Sequence, residues 1–186
     1  QLIEKENRYA TYEEQKILSQ YVGWGGLPDV FDDSKSNWHN EYNELKNLLT
    51  EEEYKSARAS TLNAHYTSPI IISAIYEALI NIGVSKDGNY LDPALGTGHF
   101  FGMLPEDLKD VNMYGVEIDS ISGRIAKQLY PNSNIQINGF EKTSFSDNFF
   151  DCVIGNVPFG NYKLYDKRYD KNNFLIHDYF FAKSLD

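Results

Sequence analysis

From residue 65 onward, short β-branched or aromatic runs alternate with stretches of helical period, and no other feature of this 186-residue chain narrows its fold as much. Ser68-Pro69 opens a helix whose apolar face is expected to run through Ile71, Ile75, Ala78, Leu79 and Ile82 before Gly83 stops it. Residues 90–93 form a first strand, 113–118 a second, 135–137 a third, and 152–154 a fourth. Ile121, Ile125 and Leu129 mark the helix between the second and third strands, stopped by Pro131. Residues 174–185 are apolar on most sides and predict a buried helix. The β-α-β-α order calls for an α/β fold, Rossmann-like, with a mostly parallel sheet and helices on both faces.

The first 63 residues read differently, as a polar helical extension ahead of a domain over 64–186. Thr11 with Glu14, and Thr50 with Glu53, have the spacing of capping boxes. Between them Gly23-Trp24-Gly25-Gly26-Leu27-Pro28 is too rich in glycine for regular structure. Its tryptophan is either a packing plug or a recognition element, and the usual burial of Trp favours the plug. The fourth strand would have a bare edge, with its natural neighbour expected after Asp186, so the sequence reads as the first half of a catalytic domain. That edge predicts self-association, or cover by the N-terminal helices.

Composition narrows the partners. A net charge of −10 opposes free-standing affinity for nucleic acid, which rests on Lys and Arg neutralising phosphates. The single cysteine, Cys152, lies in an apolar run, so no disulfide framework exists and a cytoplasmic setting is expected. No apolar stretch is long enough to span a membrane, and the N-terminus, which starts at Gln1, reads as internal to a longer protein. The four histidines, at 39, 65, 99 and 177, have no ligand-like spacing, so no metal site is expected. His177 and Asp178 are expected to serve as a helix cap or a core hydrogen bond.

Two motifs carry chemistry. Asp92-Pro93-Ala94-Leu95-Gly96-Thr97-Gly98 joins a strand to a helix at the carboxyl end of the sheet, where open α/β folds bind ligands. It lacks the third glycine of the dinucleotide fingerprint, which disfavours a pyrophosphate. Glu117 ends the next strand, 19 residues after Gly98, where a carboxylate can take both hydroxyls of a ribose. Asp92 can hold an ammonium group. A ligand with a ribose and an amino acid but no phosphate is S-adenosylmethionine; the alternative is an ordinary strand-to-helix turn. Sixty-four residues after Asp92, Asn156-Val157-Pro158-Phe159 closes the fourth strand. An asparagine oxygen and a backbone carbonyl can accept both protons of a planar amine while an exposed ring stacks on its heterocycle.

The order His65-Tyr66-Thr67-Ser68-Pro69, the loop, Gly115-Val116-Glu117-Ile118-Asp119 and then the tetrapeptide resembles the amino-methylating DNA methyltransferases. The Gly23–Leu27 block and residues 156–178 also resemble the methylase segment of very large methylase–helicase proteins of conjugative elements and phages. The resemblance implies that Tyr66 and Thr67 contact the methionine part of the cofactor. It implies that Asp92, Ala94, Gly96, Thr97 and Gly98 form the cradle, that Glu117 binds ribose, and that Ile118 and Phe140 sandwich the adenine. Asn138-Gly139-Phe140-Glu141 departs from the family's usual acidic partner for the adenine amine, and Val157 stands where proline is usual. The implied activity is transfer of a methyl group from S-adenosylmethionine to adenine N6 in DNA, with a helicase region in the same chain. Cytosine N4, RNA adenine, a protein glutamine and a silent DNA-positioning module are the alternatives. Lys163, Lys167, Arg168 and Lys171, interleaved with tyrosines, form a candidate nucleic-acid loop or a solvated one.

Overall fold

The computed structural model of the chain describes residues 2–61 and 66–186. His65 and the expected 63/64 boundary lie outside these described residues. Four short helices come first: α1 (Leu2–Lys5), α2 (Tyr12–Leu18), α3 (His39–Leu48) and α4 (Glu51–Ser60). There follow α5 (Pro69–Asn81), β1 (Asn89–Asp92), α6 (His99–Gly102), β2 (Asn112–Glu117), α7 (Ser120–Leu129), β3 (Asn134–Ile137), β4 (Cys152–Val153) and α8 (Ile176–Leu185). The strands form one sheet in the order β3-β2-β1-β4, and every pairing is parallel. The fold is therefore the expected Rossmann-like α/β arrangement.

Side chains alternate across the sheet, and the two faces build two cores. Tyr90 joins Ile72, Tyr76, Leu95 and Phe100 on one face, whereas its neighbour Leu91 joins Val116, Phe140, Tyr179 and Phe180 on the other. The α5 contact is rotated from the expected stripe, of which Ile75 and Leu79 do pack against the core. Its fully buried residues are Ile72 and Tyr76, while Ile71 and Ile82 are exposed. With Ile70, Ile71 and Ile72 in a row, periodicity alone could not choose the inward face. The choice of Tyr76 is explained by its hydroxyl, which donates to the Phe100 carbonyl at 2.8 Å and leaves no buried polar group unmet. Helix α8 starts at residue 176 and buries one face through Ile176, Tyr179 and Phe180; Phe181 and Leu185 are exposed, so it is not buried on most sides.

Both capping boxes form, with Thr11 and Glu14 opening α2 and Thr50 and Glu53 opening α4. A third cluster of Val30, Phe31 and Ala57 packs against Trp24, whose ring meets Phe31 edge-on at 5.4 Å. Trp24 is thus a plug. The N-terminal helices dock on α7: Gln15 donates to the Gln128 carbonyl at 2.8 Å, and Arg124 pairs with Glu4 and Glu53. They do not cover the β4 edge, contrary to one of the two outcomes expected from the sequence, because the ion pairs and polar contacts that hold them lie on α7. Among the described residues no helix is long and apolar enough to cross a membrane.

Candidate active site

A cavity of about 570 Å³ opens at the carboxyl ends of the strands. The chain leaves β1 to one side and β4 lies on its other side, so this is the point where strand order reverses and α/β sheets take ligands. Its volume falls in the range of about 300–1,000 Å³ usual for small-molecule sites.

Asp92 ends β1 almost without exposure, and its Oδ1 accepts from the Ala94 amide at 3.1 Å. Glu117 ends β2; one carboxylate oxygen accepts from the Gly96 amide at 2.6 Å and the other from the Asp119 amide at 2.7 Å. From its place at a strand end Glu117 is expected only to face a ligand. It also ties the glycine loop to the neighbouring strand. Burial pushes both carboxyls well above the ordinary range, Asp92 to about 7 and Glu117 to about 7, and backbone amides only partly offset this.

Of the expected cofactor residues, Tyr66, Thr67, Asp92, Ala94, Gly96, Glu117, Ile118 and Phe140 line the cavity. Tyr66 stacks on His99 with ring centroids 4.4 Å apart, over the glycine loop. Thr97 and Gly98 do not reach the wall. Thr97 is buried, and Gly98 caps α6 with φ 89°, a conformation that side chains avoid, and a Cβ there would strike Tyr130. This glycine serves the turn and its packing. Ile118 is 72% exposed, whereas Phe140 is mostly spent in the core against Phe180, at 5.0 Å between centroids. The two flank the cavity unequally. Asn138 and Glu141, beside Phe140, line it too.

The second motif meets the first. Asn156 and Pro158 line the same cavity; Val157 and Phe159 stand outside its wall. Gly155, just before Asn156, runs so close to Asp92 that a Cβ would overlap its carboxylate. Sequence reading missed this glycine, because the contact spans 63 positions. Phe159 is 66% exposed and stacks on His177 at 5.4 Å. His177 neither caps α8 nor makes a core hydrogen bond: its Nδ1 is buried and has no partner among the described residues.

None of the four expected nucleic-acid contacts lines the cavity. Lys163 is hydrogen-bonded to Asn173, and Arg168 pairs with Asp147 at 2.6 Å and Asp186 at 3.0 Å. Lys167 and Lys171 are exposed. Among the described residues no group of three or more His, Cys, Asp or Glu side chains is placed to hold a metal ion. The wall also includes a stretch of α4, with Lys55, Ser56, Ala59 and Ser60, which no motif announced.

No family model matches the chain. Over 183 residues, 95% of its length, it is 32% identical to Defense against restriction protein B of Escherichia phage P1. Over 94 residues, 50% of its length, it is 33% identical to the Type II methyltransferase M.CvrRI of Paramecium bursaria Chlorella virus XZ-6E. The chain spans 6% of the first protein and 24% of the second. Among solved structures, a class I S-adenosylmethionine-dependent methyltransferase of Listeria monocytogenes is 18% identical with a TM-score of 0.49, over 90% of this chain and 61% of that one. A TehB-like S-adenosylmethionine-dependent methyltransferase of Corynebacterium glutamicum is 20% identical with a TM-score of 0.36, over 47% of this chain and 50% of that one.

Proposed function

We infer that this chain, a member of the S-adenosylmethionine-dependent methyltransferase family, holds the cofactor and the catalytic tetrapeptide of an enzyme that methylates adenine N6 in DNA. The observation that carries this reading is the opening of Asn156 and Pro158 into the same cavity as Asp92, Gly96 and Glu117. The cavity suits the cofactor on its chemistry. Its wall carries Asp92, Glu117, Asp119 and Glu141 and, as basic side chains, Lys55 and His99. A phosphate would face carboxylates there, whereas a cationic ligand with an ammonium, a sulfonium and a ribose finds acceptors.

S-adenosylmethionine, when bound, supplies a methyl group on a sulfonium, and the C–S electron pair returns to sulfur as the methyl passes to the amine. The chain's own residues prepare that amine. The lone pair of adenine N6 is delocalised into the ring, so the nitrogen is a poor nucleophile. The Asn156 side-chain oxygen and the Val157 carbonyl accept hydrogen bonds from its two N–H groups and favour a tetrahedral nitrogen, whose lone pair is then free to attack; the methylated nitrogen then releases one of its protons to solvent. Tyr66 and Thr67 position the methionine end, Glu117 the ribose, and Ile118 with Phe140 the adenine of the cofactor. Oriented acceptors and positioning supply most of the acceleration. Phe159 supports the flipped base, a stack worth about 1–3 kcal/mol. Exposed Lys167 and Lys171 are the basic side chains of the loop left for phosphate. A large protein with a helicase region in the same chain is the setting we propose, in keeping with the 6% span of the phage relative.

Methylation mapping of DNA from cells making the full-length protein tests the reading. Adenine N6 marks present with the natural sequence and lost with Asn156→Ala are expected. Marks on cytosine instead would replace adenine N6 by that amine, and DNA without any Asn156-dependent mark would remove DNA as the substrate.

A further inference from the structure

Helix α4 belongs to the N-terminal extension, yet it forms part of the cavity wall. Ser56, Ala59 and Ser60 recur at the i, i+3, i+4 spacing of one helical face and line the same cavity as the glycine loop. The helix is held there by its cap and by one side chain of this face, Ser56. The Ser56 hydroxyl donates to Asp119 Oδ1 at 2.9 Å. Asp119 also caps α7 through the Ser122 amide at 3.1 Å and, by way of its own amide, touches Glu117 at 2.7 Å. The Thr50–Glu53 capping box fixes the start of α4, and Glu53 pairs with Arg124 of α7. A chain of direct contacts therefore runs from the extension to the carboxylate that ends β2.

We propose that α4 is a cofactor-binding element, with its Ser56–Ala59–Ser60 face covering the ribose side of bound S-adenosylmethionine. This rests on the cavity being the cofactor site. The ribose side follows from position: the Ser56 hydroxyl of α4 is bonded to Asp119, two residues after Glu117. Ala59 is exposed in the wall, so a larger side chain there meets open cavity instead of packed core. The extension is then part of the site and not a separate appendage.

The test is calorimetry of S-adenosylhomocysteine binding to full-length protein, comparing the natural sequence with Ala59→Trp and Glu117→Ala. Ala59→Trp is expected to weaken binding by about tenfold or more at an unchanged melting temperature. Hydrogen exchange of the natural protein supplies an arm that needs no variant: S-adenosylhomocysteine is expected to slow exchange of the α4 amides. Tight binding to Ala59→Trp, or α4 exchange that the ligand leaves unchanged, overturns the α4 assignment while loss of binding in Glu117→Ala keeps the cofactor site. Failure of the natural protein to bind S-adenosylhomocysteine overturns both.

Discussion

Asp92 and Glu117 place two carboxyls inside the protein, and their raised protonation range has a stability consequence. Unfolded, such groups titrate near about 4. The folded state therefore holds these two protons more tightly between about pH 4 and 7, and the contribution of the pair to stability is complete below the unfolded range and is lost as pH rises through 7. Thermal melts of the ligand-free protein are expected to show a lower melting temperature at pH 8 than at pH 5. Asp92→Asn should flatten that slope and raise the melting temperature at pH 8, because a neutral amide can still accept from the Ala94 amide. The same variant should bind S-adenosylhomocysteine more weakly, since the ammonium loses its carboxylate; equal slopes for both proteins would remove Asp92 from this account. Gly155 poses a steric question. Gly155→Ala forces a methyl group against the Asp92 carboxylate and Pro93. Overpacking of this kind costs about 1–3 kcal/mol, read as a lower denaturation midpoint with an unchanged slope.

Helix α8 acts on the site through one partly buried lysine. Lys183 donates to the Phe140 carbonyl at 2.8 Å, to the Thr143 carbonyl at 3.1 Å and to Asp166 at 3.1 Å, and Asp166 also accepts from the Tyr179 hydroxyl at 2.7 Å. The helix thereby fixes the turn that presents Phe140 to the cavity and anchors the segment after the tetrapeptide. Lys183→Met keeps the apolar stem but removes the ammonium donor from two carbonyls and a carboxylate, of which the Phe140 carbonyl and Asp166 keep other donors. Hydrogen bonds to a charged group are worth about 1.5–3 kcal/mol, so a clear fall in melting temperature is expected, together with weaker cofactor binding. The basic loop divides by partner. Arg168 is committed to Asp147 and Asp186, whereas Lys167 and Lys171 are exposed. In DNA binding by the full-length protein, Lys167→Ala with Lys171→Ala should reduce the salt dependence, and Arg168→Ala should chiefly lower stability. A larger loss of the salt slope from Arg168→Ala would reverse that division.

Across the whole molecule, β4 has β1 as its sheet neighbour and lies at the sheet edge, while α8, packed on the face that carries Val153, exposes Phe181 and Leu185. We expect weak self-association through this side, held back at low salt by the net charge of −10 and promoted as salt screens it. Sedimentation velocity at low and high salt reads this directly, and a salt-independent monomer would refute it. The layer order of the fold was legible in the sequence because strand and helix periods depend on neighbours a few residues apart. So were both capping boxes and the acidic residue ending β2. Which face of α5 turns inward was not, since three consecutive isoleucines satisfy more than one rotation and the Tyr76 hydroxyl found its acceptor 24 positions away. The candidate site divides in the same way. The glycine loop, Glu117 and the tetrapeptide are local patterns that a strand end produces wherever it occurs. The pressing of Gly155 on Asp92, the stacking of Phe159 on His177 and the place of α4 in the cavity wall depend on contacts between distant segments. By itself the sequence determined which segments become strands and helices and which residue types stand at their ends. Only the tertiary structure decided which of those ends share one cavity, because close packing selects among rotations and approaches that local propensity leaves equal in energy.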